Sequence, residues 1–201
     1  MNTAILLHGT GGNDKDYVWF NDTKQYLEKH GYSVWWPQLP NADKPLLQPA
    51  IQFVTKNMPT LDEYSVIVSH SSACPLVLSL LERIETPIAQ AILIGGFYED
   101  IHDDGYSPLM LQESYDWAKI RANAKEIYLL NSDDDPWGCT DKQARPIAEK
   151  LQAPLIVMFG QGHMGSLTFK QPYREFCAAE TVGEGLGQHE LPHRQRRRLR
   201  L

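Results

Sequence analysis

The chain has 201 residues, 42% of them hydrophobic and 22% charged, with a formal net charge of −6. That length fits one domain burying roughly two-thirds or more of its unfolded surface, and the negative balance argues against the basic face of a general nucleic-acid binder. No apolar run approaches the roughly 18–20 residues of a membrane-spanning helix, and the opening Met1-Asn2-Thr3 lacks the positive region of a secretory signal. Cys74, Cys139 and Cys177 are odd in number and far apart. No disulfide framework is expected, and a reducing cytoplasm suits such a chain.

Six short apolar runs follow one another, at residues 3–7, 32–36, 64–68, 91–94, 127–130 and 155–159. Each has strand length, and none alternates with polar residues in a sustained way. Strands buried on both faces read like this, which predicts a parallel sheet. Between them lie helical patterns. The first covers residues 20–30, with Gly31 as its stop. The second covers 73–83, with Leu76, Val77, Leu80 and Leu81 at helical spacing, and 117–124 and 140–151 complete the series. Alternation of strand and helix predicts an α/β, doubly wound fold: one mainly parallel sheet of about six strands with helices on both faces.

Two stretches break the alternation. Residues 97–116 form a long polar loop placed to cover a site at the sheet's C-terminal edge. Beyond residue 176 apolar periodicity stops, and Arg194, Arg196, Arg197, Arg198 and Arg200 crowd the end. The expected division is a domain over residues 1–176 and a solvated, peripheral tail over 177–201.

The strongest local signal is Val66-Ile67-Val68-Ser69-His70-Ser71-Ser72-Ala73, a buried strand running through a tight turn into a helix. It matches the nucleophile elbow G-x-S-x-G, with Ser69 and Ala73 in the glycine positions. Such a turn strains the nucleophile's backbone, so residues two places away must be small. It would expose the Ser71 hydroxyl above the sheet and set the Ser72 N–H at a helix N-terminus as an oxyanion donor. A second donor is expected from the glycine loop His8-Gly9-Thr10-Gly11-Gly12 after the first strand, assigned to the Thr10 N–H. His8 itself reads as structural. Neither G-x-G-x-x-G nor a P-loop lysine is present, so the loop does not read as a nucleotide site.

After the fifth strand comes Ser132-Asp133-Asp134-Asp135-Pro136, and after the sixth Gly160-Gln161-Gly162-His163. A serine triad needs a carboxylate to fix the histidine tautomer. Asp135, at the turn before Pro136, is the chosen residue and Asp134 the alternative. A metal reading of the three aspartates lacks spaced His, Cys or Glu partners. Ser71, then Asp135, then His163 reproduces the order of the α/β-hydrolases, each member following its own strand. Cys74, three places past Ser71, reads as core, as do Trp35 and Trp36. Tyr98, Tyr106 and Trp137 are expected near the site.

Residues 4–176 resemble the small serine hydrolases similar to retinoblastoma-binding protein nine and YdeN. The resemblance is carried by His70-Ser71-Ser72-Ala73, Gly95-Gly96-Phe97-Tyr98, Asp104-Gly105-Tyr106, residues 117–123, Ser132-Asp133-Asp134-Asp135-Pro136 and Gly162-His163. It implies a compact α/β-hydrolase without a large lid, esterase-like or unassigned activity, no cofactor, and Asp135 as the triad acid. The chain departs from the family at Ser69, at Ser72-Ala73 and at Trp137-Gly138-Cys139. The expected function is that of a serine hydrolase, carboxylesterase-like, acting on a small-molecule ester, thioester or amide, with no metal, nucleic acid or membrane involved. A protein partner is not indicated. The alternative is a weakly active or inactive scaffold serving as a binding module. The altered elbow motivates it, and the retained triad positions count against it.

Overall fold

The computed structural model describes residues 2–12, 19–101, 107–166 and 168–171. Six strands, β1 (Asn2–Leu7), β2 (Tyr32–Trp35), β3 (Val66–His70), β4 (Ile88–Ile94), β5 (Ala124–Asn131) and β6 (Leu155–Val157), form one sheet in the order β2-β1-β3-β4-β5-β6. Every pairing is parallel. The expected doubly wound α/β architecture is therefore the observed one.

The apolar runs are continuous because both faces are covered. Ile5, Leu7, Ile67, Ala91, Leu93 and Leu129 face a cluster filled by α2 (Leu47–Asn57), α3 (Ala73–Leu81), α4 (Trp117–Ala122) and α5 (Asp141–Leu151). Their immediate neighbours Ala4, Leu6, Val66, Val68, Ile92, Ile94 and Leu130 face the opposite cluster, with Trp19 and with Phe20 and Leu27 of α1 (Phe20–Lys29). The period of two thus sorts adjacent apolar residues to opposite faces, and no polar face is left to show in the pattern.

Boundaries move by one to three residues. The β3 strand starts at Val66 because Tyr64 lies in an exposed turn, and β6 stops at Val157, before the exposed Phe159. One helix, α2, is not among the sequence expectations. Leu47, Ala50, Ile51 and Val54 do keep helical spacing on its buried face. Pro49 reads as a helix breaker, but it sits in the first turn, where its missing N–H would have no intrahelical partner. The 97–116 segment is also less loop-like than expected. It holds a short 3-10 helix, Ser107–Met110, with Phe97 and Met110 buried. The 177–201 tail lies outside the described residues.

β1 is flanked by β2 on one side and β3 on the other, so the chain's winding reverses there. Crevices at such reversals, beyond the strand C-termini, are where open α/β sheets bind ligands. The His8–Gly12 loop leaves β1, and Ser71 leaves β3, at this point.

Candidate active site

Ser71 sits between β3 and α3 with φ of 55°, the left-handed backbone region that a non-glycine residue adopts at a cost. Two hydrogen bonds hold it there. Its N–H donates to the Ile94 carbonyl, and its own carbonyl accepts from the Cys74 N–H, both at 2.8 Å. Ser69 and Ala73 are fully buried on either side, so serine and alanine are small enough for the turn. The Ser69 hydroxyl lies 3.4 Å from both the Cys74 sulfur and the Ile92 carbonyl, which gives the buried oxygen polar neighbours. Cys74 is core, as expected, and burial pushes its thiol up to about 12.

The β1 loop comes against this turn. A Cβ on Gly9 would stand 2.8 Å from Ser71 Cβ and 3.1 Å from the His70 carbonyl oxygen, so only glycine lets the two loops approach. Thr10 and Ser72 meet across the gap through a 3.1 Å hydrogen bond from Thr10 Oγ1 to Ser72 Oγ. Among the described residues, neither N–H donates to a backbone carbonyl. His8 is a neutral tie, its charged form disfavoured by burial. Its Nδ1–H donates to the Gly9 carbonyl at 2.7 Å and its Nε2 accepts from the Leu39 N–H at 2.8 Å.

The three aspartates each take a different partner in or beside the His163 loop. Asp135, buried, accepts the His163 Nδ1–H at 2.6 Å on one oxygen and the Trp137 N–H at 2.8 Å on the other. Asp133 accepts from the Gly160 N–H at 2.8 Å. Asp134 accepts from the Gly162 N–H at 2.7 Å and the Ser132 hydroxyl at 2.6 Å, which hold its carboxyl below the usual range. Asp133 and Asp134 thus clamp the loop that carries His163, while Asp135 grips the ring. With Nδ1 committed as donor to a carboxylate, Nε2 is left as an acceptor.

Other contacts to this loop come from residues with no evident motif. Gln171 accepts the His163 N–H at 2.9 Å, and the Trp19 indole N–H donates to the Met164 carbonyl at 2.8 Å. His70, fully inside, donates its Nε2–H to the His163 carbonyl at 2.8 Å, with the two rings 4.7 Å apart. Burial and the neighbouring His163 bring the His70 ring down to about 3, so it is a neutral strut. A histidine beside the elbow serine hints at such a role, whereas nothing in the sequence marks Trp19 or Gln171.

Ser71, Ser72, Thr10 and His163 line one cavity of about 390 Å³, walled on its apolar side by Phe97, Ile101, Met110 and Trp137. Phe97, Ile101 and Met110 give the 97–116 segment its expected place over the site. Tyr98 is a correction. Its ring packs with Tyr115 and with Trp117 of α4 against the core on that face, and it does not line the cavity. Tyr106 lies outside the described residues. Among the described residues one cluster has metal-ligating chemistry, formed by Asp135, Cys139 and His163.

A family model for serine hydrolases matches residues 4–175. The chain belongs to the serine hydrolase family. This member of it is 25% identical over 195 residues to the serine hydrolase RBBP9 of Rattus norvegicus, with 85% of this chain and 91% of that protein covered. It is 26% identical over 165 residues to the hydrolase YdeN of Bacillus subtilis, covering 80% and 84%. The crystal structure of that ydeN gene product superposes with a TM-score of 0.82 at 22% identity, covering 92% of this chain and 98% of the other. Hydrolysis is the activity that the family supports. Among the described residues no helix is long and apolar enough to cross a membrane.

Proposed function

We propose that this protein hydrolyses a small ester, thioester or amide through an acyl-enzyme formed on Ser71, with a carboxylesterase-like preference. The observation that carries the reading is the 2.6 Å bond from His163 Nδ1 to buried Asp135, in the same cavity as a serine on a strained strand-to-helix turn. Ser71 Oγ attacks the carbonyl carbon as His163 Nε2 takes its proton. Asp135 steadies the imidazolium, and the Thr10 and Ser72 N–H groups receive the oxyanion. The proton on Nε2 then passes to the leaving oxygen, sulfur or nitrogen. Water repeats the sequence to release the acid and restore the serine.

A cavity of about 390 Å³ lies near the small end of ligand sites, and its wall of Phe97, Ile101, Met110 and Trp137 suits a compact apolar group. No cofactor enters any step. Two buried free thiols, Cys74 and Cys139, support a reducing, cytoplasmic setting. The test is a rapid quench of the reaction with p-nitrophenyl acetate, followed by peptide mass spectrometry. An acetyl group on the Ser71 peptide, with a burst of nitrophenol, is the expected result. Turnover without a burst and without any acyl adduct would overturn the acyl-enzyme route.

A further inference from the structure

Cys139 follows a hydrogen-bonded turn in which the Gly138 N–H donates to the Asp135 carbonyl at 3.0 Å. Gly138 has φ of 84°, which an L side chain rarely adopts, and this conformation folds Cys139 back toward Asp135. Asn131 pins the result by donating its side-chain N–H to the Cys139 carbonyl at 2.8 Å. The Cys139 sulfur, an Asp135 oxygen and a His163 ring nitrogen consequently lie within 4.8 Å of one another, all on buried residues. Cys139 and His163 also line the cavity, so a small ion has a way in. Sequence spacing does not display this set, because His163 arrives from another strand.

We propose that Asp135, Cys139 and His163 form an inhibitory site for a borderline-soft divalent cation, with zinc as the natural example. The ligands are the Cys139 thiolate, an Asp135 oxygen and His163 Nδ1. One sulfur, one imidazole and one carboxylate with a fourth position for water is a donor set that zinc accepts, whereas magnesium and calcium prefer all-oxygen sites. With Zn–S of about 2.3 Å and Zn–N or Zn–O of about 2.0–2.2 Å, tetrahedral ligand atoms stand roughly 3.3–3.8 Å apart. In the structure Nδ1 and the Asp135 oxygen are 2.6 Å apart and all three ligand atoms lie within 4.8 Å of one another, so shifts of about 1 Å reach that geometry. Side-chain rotation closes the site.

The effect on rate rests on the triad reading above; the binding does not. Zinc takes the place of the Nδ1 proton, which moves to Nε2 and leaves the imidazole neutral in its other tautomer. The Cys139 S–H bond breaks, its electron pair goes to zinc, and one proton is released to the buffer. His163 Nε2 is now a donor, with no lone pair for the Ser71 proton. Zinc and catalysis therefore compete for the tautomer of one ring.

The experiment adds zinc chloride, in a non-chelating buffer, to the full chain and follows fluorophosphonate labelling. Cobalt(II) serves as the optical probe of binding. Labelling should slow at least tenfold in low molar excess of zinc, recover with EDTA, and ignore magnesium. Cobalt should give a thiolate-to-metal charge-transfer band in the parent, in Cys74→Ser and in Ser71→Ala, but not in Cys139→Ser or Cys139→Ala. Zinc sensitivity, measured against each variant's own metal-free rate, should fall at least tenfold in the two Cys139 variants. A parent without the band, or a band and sensitivity unchanged in folded Cys139→Ala, would overturn the proposal. The band in Ser71→Ala keeps this outcome separate from the fate of the triad reading, since it needs no catalysis.

Discussion

Replacing Gly9 by alanine should damage the nucleophile without replacing any group that takes part in the chemistry. The backbone at Gly9 is not in the left-handed region, so the substitution meets no conformational barrier of its own. The added methyl, however, would stand 2.8 Å from Ser71 Cβ, 3.1 Å from the His70 carbonyl oxygen and 3.4 Å from Ser71 Oγ. Ordinary carbon contacts are about 3.5–4.0 Å, so the overlap with Ser71 Cβ is roughly 0.7–1.2 Å. The turn is braced by its bonds to Ile94 and Cys74, so the strain is shared between the β1 loop and the serine. A shift of the order of 1 Å in a reacting group costs about 10²-fold in rate, or about 2.7 kcal/mol. Overpacking of this kind also costs about 1–3 kcal/mol of stability. The assay is the second-order rate of fluorophosphonate labelling, read beside a thermal melt. Gly11→Ala is the control, because a Cβ there meets nothing within 4 Å but is strained at φ of 100°. It should lose stability with much less effect on labelling. Folded Gly9→Ala reacting at the parental rate would refute the packing argument.

Asp135→Asn should lower kcat by about 10⁴-fold through loss of the correct tautomer. Asp134→Asn should mainly lower the thermal midpoint by loosening the Gly162 clamp, and reversed effects in steady-state assays and melts would exchange the two roles. Stability should also respond to acid through His70, whose folded value of about 3 lies below its ordinary 6.5. Between those values the unfolded chain binds more protons, so stability is present above pH 6.5 and is lost as pH falls toward 3, by on the order of 5 kcal/mol. Urea unfolding across that range should show a shallower acid slope in His70→Gln, and an unchanged slope would remove His70 from the account. Truncation after residue 176 should leave melting and hydrolysis nearly unchanged, because residues 177–201 hold few large apolar side chains. A fall of many degrees would show that the tail docks on the domain.

The fold was legible because burial on both faces leaves its mark in uninterrupted runs such as Ala4-Ile5-Leu6-Leu7 and Val66-Ile67-Val68. Helix α2 is less legible: its buried face rests on only four residues, Leu47, Ala50, Ile51 and Val54, and a proline stands among them at position 49, in the first turn where it costs little. In the site, Ser71, Asp135 and His163 stand out in the sequence because each follows an apolar run. The tasks of Asp133 and Asp134 leave no mark in the sequence, since they depend on which N–H of the His163 loop faces which carboxylate. The supports from Trp19 and Gln171 are long-range contacts between ordinary residues and have no local pattern. Cys139 belongs in the same class, because its nearness to His163 exists only once β5 and β6 are side by side.

If Ser71 is the group activated by His163 and Asp135, covalent labelling reads it directly. Parent, Ser71→Ala, Ser72→Ala and His163→Ala would be treated with a fluorophosphonate and the modified peptide sequenced by mass spectrometry. One adduct is expected, on Ser71, in the parent and in Ser72→Ala. None is expected in Ser71→Ala, and labelling should slow by several orders of magnitude in His163→Ala. Equal labelling of the parent and Ser71→Ala, or an adduct on another serine, would contradict it.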